Sequence, residues 1–151
     1  MLLRSLRRRR RAAALVESAI TYSVMFLLTF GVIVVAMGVY YYQQTASLAR
    51  EGARWASVHG AQYSSETGNP IATSTTIHNN AVVPMASGLD TTQLTTTATW
   101  DQSSEVATYD DATTGAVKNN YVHVTVSYTW KPPLYLSPMT LTSTSVMPMQ
   151  Y

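Results

Sequence analysis

From Ser18 to Ala49 the chain has no charged residue, and five consecutive arginines, Arg7 to Arg11, stand shortly before that stretch. Its apolar part, residues 15–42, reads LVESAITYSVMFLLTFGVIVVAMGVYYY. About 20 apolar residues carry a helix across the hydrocarbon core of a bilayer, so the segment is long enough to span one. By the positive-inside rule the arginines keep the N-terminus in the cytoplasm, and Tyr40, Tyr41 and Tyr42 stand where aromatic rings favour the far interface. A cleaved secretory signal has a shorter apolar region with a small-x-small site after it; here Tyr-Tyr-Tyr-Gln-Gln occupies that place. A twin-arginine signal fits poorly, because Ala-Ala-Ala-Leu-Val-Glu follows the arginines. A buried soluble helix does not account for the arginine block.

Charge is unevenly spread. Six of the ten basic residues lie in the first eleven positions, Arg4 and Arg7 to Arg11. Residues 61–151 carry two lysines against six carboxylates, a net −4. The basic isoelectric point therefore describes the N-terminus, and nucleic acid is not an expected partner. With no cysteine, disulfides and thiolate chemistry are excluded.

Glu17 lies just inside the apolar segment, where a charge costs up to about 2.5–3.5 kcal/mol at a helix centre and less near an interface. One reading lets it snorkel to the headgroups and pair with Arg10 or Arg11. The other takes the layout as a class III signal: a basic leader, a small residue, then an acid at the fifth position of a long apolar helix. A cut between Ala12 and Ala13 makes Glu17 the fifth residue. Its carboxylate then meets the new terminal ammonium of a neighbouring subunit, where each charge otherwise lacks a partner.

The stretches RRRRRAAALVESAI and ASLAREGARWASV, with the apolar helix between them, resemble the TadE-like proteins of tight-adherence (type IVc) pili. The second motif is Ala46, Ala49, Arg50, Gly52, Ala53, Arg54, Ala56 and Ser57. Where the family carries glycine before the cut, this chain has Ala12. The resemblance implies a minor pilin-like (pseudopilin) or assembly subunit at the bacterial inner membrane, non-catalytic and without cofactor. Its implied partners are other pilins or pseudopilins, the inner-membrane assembly platform, a prepilin peptidase and membrane lipid. The alternative is a membrane-anchored extracytoplasmic binding or adhesion domain working outside a pilus.

Beyond the membrane the helix pattern continues to His59, with Gly60 as expected C-cap. One helix from Ala13 to His59 is about 70 Å long at ~1.5 Å per residue. Thr45, Leu48, Ala49, Gly52, Ala53 and Ala56 follow three-and-four spacing and make a small-residue stripe. With Arg50 and Arg54 it reads either as a solvated face or as a packing surface for another pilin-like helix or for headgroups.

Residues 61–76 are read as a loop and residues 76–87 as a short helix broken at Pro84. Residues 92–100 alternate as a strand, and residues 101–120 as an acidic loop. YVHVTVSYTW, residues 121–130, is the strongest strand, with Val122, Val124, Val126, Tyr128 and Trp130 on one face. Residues 140–147 make a third strand. Three strands with one apolar face need a cover, expected from the helix through Leu48, Trp55 and Val58.

The expected class is therefore α+β, a long N-terminal membrane-spanning helix continuing into a stalk that packs on a small antiparallel sheet, as in pilins. The expected organisation is a basic cytoplasmic leader (1–12), the transmembrane helix (13–42), its extracytoplasmic continuation (43–60) and a Thr/Ser-rich β domain (61–151). Serine and threonine supply 28 of the last 91 residues, which suits a polar exterior. No catalytic or metal-binding residue is predicted. His59, His78 and His123 lack ligand spacing, and Asp110-Asp111 lacks the rest of a calcium loop.

Overall fold

A computed structural model describes residues 2–133 and 136–150, with the backbone alone for residues 2–13. Helix α1 runs Leu2–Ser57. It starts ahead of the expected Ala13 and ends two residues before His59. Helix α2 (Ala61–Thr67) follows, then a helical run made of α3 (Ser74–Ile77), a π turn (His78–Val82) and α4 (Val83–Met85). A 3-10 turn (Thr91–Gln93) leads into β1 (Leu94–Trp100), β2 (Thr108–Asp110), β3 (Val117–Asn119), β4 (Tyr121–Trp130) and β5 (Met139–Pro148). The long N-terminal apolar helix followed by a small antiparallel sheet is the α+β, pilin-like arrangement expected.

Two compact units divide the chain, Met1–Met37 and Gly38–Tyr151. In the first, the helix stands alone. Leu15, Val24, Leu27 and Val32 are each more than half exposed. Three of its hydroxyls turn inward to the backbone: Ser18, Ser23 and Thr29 each donate to the carbonyl four residues back at 2.8 Å. That satisfies these three donors without water, as an apolar medium demands.

In the second unit a three-stranded antiparallel sheet, ordered β1-β4-β5, packs its inner face on the last five turns of α1. Val122, Val124 and Val126 of the central strand are fully buried, and Tyr128 and Trp130 nearly so. Each buried valine contributes roughly 1.5–3 kcal/mol relative to exposure. The outer face is a lattice of small hydroxyls. Thr97, Thr125 and Thr144 stand opposite one another across the strands, as do Thr95, Ser127 and Thr142. Thr125 and Thr144 share a 2.8 Å hydrogen bond, Ser127 and Thr142 one of 3.0 Å.

Four local readings need correction. Gly60 is not a left-handed C-cap: its φ of −87° is extended, and it opens α2 within the segment expected to be loop. The α1 terminus is capped instead by Gln150, whose N–H donates to the Ser57 carbonyl at 2.9 Å. The second helical run begins earlier than predicted, because Thr73 and Thr76 form a reciprocal capping box. Pro84 does not break that run in its middle. The preceding π turn shifts the hydrogen-bond register, and Pro84 falls in the first turn of α4, where its missing N–H is not required. Finally, the acidic loop holds a small hairpin of β2 and β3.

Asn120 joins that hairpin to the sheet. Its side chain is fully buried. Nδ2 donates to the carbonyls of Ser103 at 2.6 Å and Val106 at 2.7 Å, and Oδ1 accepts from the Gln102 N–H at 3.2 Å. Its backbone N–H donates to the Ala107 carbonyl, and its carbonyl accepts from Met149.

Candidate functional site

The second motif lies on the α1 turns that meet the sheet. Ala49, Ala53 and Ala56 have no exposed surface, and Thr45, Leu48 and Gly52 are buried beside them. A Cβ on Gly52 would stand 3.1 Å from Val124 Cγ1, 3.3 Å from Ile77 Cγ2 and 3.4 Å from Val82 Cγ2. Gly52 is therefore glycine because the central strand and the second helical run both press on the helix there. Gly38 plays the same part further up, with a Cβ position 3.0 Å from the Trp130 ring. The stripe is thus neither a solvated face nor a surface free for another helix: its small residues pack under the chain's own sheet. Arg50 and Arg54 point away from it and are exposed.

The expected cover is met in part. Leu48 is buried, whereas Trp55 and Val58 are only half-buried. Trp55 stacks on His59, with ring centroids 3.7 Å apart and planes 13° from parallel. Tyr63 of α2 continues the row, its centroid 4.2 Å from His59. This ladder escaped the sequence reading, although its signal was visible: three aromatic rings at four-residue spacing.

Glu17 is exposed on the first unit's helix. Of the candidate cleavage pair Ala12 and Ala13 only the backbone is described, as part of α1; their side chains, and those of Arg10 and Arg11, are not described.

The histidines stand apart from one another. His59 Nδ1 is 2.6 Å from the Trp55 carbonyl, His78 Nδ1 3.0 Å from Thr96 Oγ1, and His123 Nε2 3.0 Å from Asp101 Oδ1 on the sheet's outer face. Of the two consecutive loop aspartates, Asp111 forms an ion pair with Lys118 across the β2–β3 hairpin. The hydrogen bond from Lys118, aided by the Thr113 N–H, holds its carboxyl below the ordinary value. Asp90 is likewise lowered, by the Thr92 hydroxyl and then by the Thr92 N–H, as it caps the 3-10 turn.

Helix α1 thus carries two kinds of surface: a bare apolar length with one acid near its start, and a small-residue face consumed by the sheet. That division can be set against known families. Residues 12–54 match the family model of TadE-like proteins. The match runs from Ala12 through Glu17 and the apolar helix to Arg54, so it covers the part of the first motif after the arginines and the part of the second up to Arg54, leaving out Ala56 and Ser57. No curated protein and no solved structure matched the chain. The apolar part of the TadE-like helix is long and apolar enough to cross a membrane by length and composition.

Proposed function

We propose that the chain is a minor pilin-like (pseudopilin) or assembly subunit of a tight-adherence type IVc pilus. The TadE-like match over residues 12–54 carries this reading, because it joins an intramembrane acid to the helix that holds the β domain. The basic leader, residues 1–12, stays in the cytoplasm. The helix spans the inner membrane once, and the β domain lies outside. The subunit has no catalytic step of its own; it works by contact with other pilins or pseudopilins, with the assembly platform and with lipid. A prepilin peptidase cutting between Ala12 and Ala13 would leave Glu17 fifth in the mature chain.

Two features of the helix support assembly through its bare length. Its large apolar side chains are uncovered, and a Cβ at Gly31 would meet nothing within 4 Å, unlike Gly38 and Gly52. A glycine left open in an apolar helix permits close approach of another. Arg50 and Arg54, on the helix side away from the sheet, supply polar contact with headgroups or with a neighbouring subunit.

The deciding experiment is piliation in Glu17→Gln and Glu17→Ala at matched subunit levels. Both variants are expected to insert normally and to lose assembly, because only a partner's positive group compensates a carboxylate at that depth. Wild-type piliation in both would leave the helix a plain anchor.

A further inference from the structure

A cavity of about 300 Å³ lies where the end of α1, helix α2 and the second helical run meet. The aromatic ladder of Trp55, His59 and Tyr63 forms one wall, and Asn69, Pro70 and Asn80 stand around it. Its rim is fixed by backbone rather than by loose side chains. The Ala72 N–H donates to the His59 carbonyl at 2.9 Å, and Gly68 turns the connecting loop with a φ of +71°.

The polar groups of this cavity are only partly committed. The Trp55 carbonyl accepts from His59 Nδ1, so the ring's hydrogen sits there and Nε2 is left over. Asn69 Nδ2 donates to the Tyr63 hydroxyl oxygen at 3.1 Å, which leaves the phenolic hydrogen and Asn69 Oδ1 for another partner. The Asn80 amide has no side-chain hydrogen bond among the described residues. Among the described residues no Lys, Arg, Asp or Glu lines the cavity. An anionic or cationic ligand would find no countercharge, and a phosphate no donor cluster. An aromatic surface beside uncharged amide and hydroxyl groups suits a ligand with one apolar C–H face and several hydroxyls. The volume is at the lower end of small-molecule sites, about 300–1,000 Å³, which favours one or two rings over an extended chain.

We propose that this cavity binds a neutral saccharide, with the apolar face of a sugar ring against the aromatic ladder and its hydroxyls on Asn80, Asn69 and Tyr63. The site stands independently of the pilus reading. An aromatic ladder that serves only to clamp α2 onto α1 would need neither amide, and that difference makes the two ideas separable.

The test uses the full chain in lipid nanodiscs, because glycosidic detergents would compete. Tryptophan fluorescence is followed while glucose, galactose, mannose, N-acetylglucosamine and maltose are added, with glucuronate and adenosine as charged and aromatic comparisons. A saturable change with at least one neutral sugar is expected. Asn80→Ala and Tyr63→Ala should each weaken binding about tenfold, the scale of one or two lost hydrogen bonds. Thr95→Ala, on the far face of the sheet, should leave binding unchanged. Asn80 is exposed on its helix, so Asn80→Ala folds with an unaltered near-ultraviolet circular dichroism spectrum and isolates recognition from stability. The proposal is overturned by no saturable response to any neutral sugar, by unchanged affinity in Asn80→Ala, or by tighter binding of glucuronate or adenosine.

Discussion

Replacing Gly52 with alanine sets two effects of known size against each other. In a free helix the change is favourable by about 1 kcal/mol, because alanine loses less conformational freedom. Here the added methyl meets three carbons at 3.1, 3.3 and 3.4 Å, where comfortable carbon contacts are about 3.5–4.0 Å. The owners of those carbons, Val124, Ile77 and Val82, have no exposed surface and hence no room to withdraw. Overpacking of a filled core costs about 1–3 kcal/mol. The net expectation is a loss of about 1 kcal/mol. In a Val124→Ala background the tightest contact is gone, and the same change should stabilise by up to ~1 kcal/mol. The coupling energy between the two sites is then about 2 kcal/mol, within the range for touching residues. Urea unfolding of the full chain in detergent, followed by tryptophan fluorescence, measures all four corners of the cycle. If Gly52→Ala stabilises the intact chain, or if the coupling vanishes, Gly52 does not lie under the sheet and the small-residue stripe is free for a partner after all.

Other substitutions probe different parts of the molecule. Asn120→Asp places a carboxylate oxygen against the Ser103 and Val106 carbonyls and should cost more than Asn120→Ala, which itself should cost about 2–3 kcal/mol by leaving buried backbone groups unpaired; chemical denaturation orders the two. Arg50→Ala and Arg54→Ala remove exposed side chains and should shift folding stability by less than about 0.5 kcal/mol while reducing piliation. The lowered pKa of Asp111 means that the folded chain releases this proton more readily than the unfolded one. Its stabilisation is present above the ordinary value of 3.8 and is lost as the pH falls through the lowered one. A carboxyl titration followed by NMR should give Asp111 a midpoint below 3.8, and Lys118→Ala should raise it.

Much of this fold could be read in advance because period and length are strong signals. The alternation of β4 placed five side chains on the inner face, and all five are buried there. The apolar run required a long helix, and the helix is there. The misread features were those decided by distant neighbours. The stripe of Thr45 to Ala56 announces close packing, but small residues carry no record of which partner they approach; an intramolecular sheet and another subunit's helix ask for the same side chains. Asn120 sits in an Asn-Asn pair that looks like any turn, and only the carbonyls of Ser103 and Val106 reveal it as a buried bracket. The cavity at Trp55 depends on Asn69 and Asn80 arriving from two other segments, which no local pattern records.

The packing of α1 against the sheet also has a consequence in time. The cover, residues 45–56, is made long before the strands it covers, and β5 follows it by about 100 residues. At ~5–20 residues per second of synthesis, the helix face waits about 5–20 s for its partner. A leucine-rich face would spend that interval as an adhesive surface beside other nascent chains. Alanine, glycine and threonine expose little hydrocarbon per residue, and the valines that supply most of the buried mass arrive on β4, within reach of neighbours they pair with at once. Of the two sides of this helix–sheet contact, the order of residues along the chain thus makes the less adhesive one first and delivers the valine-rich strand to a surface already waiting for it.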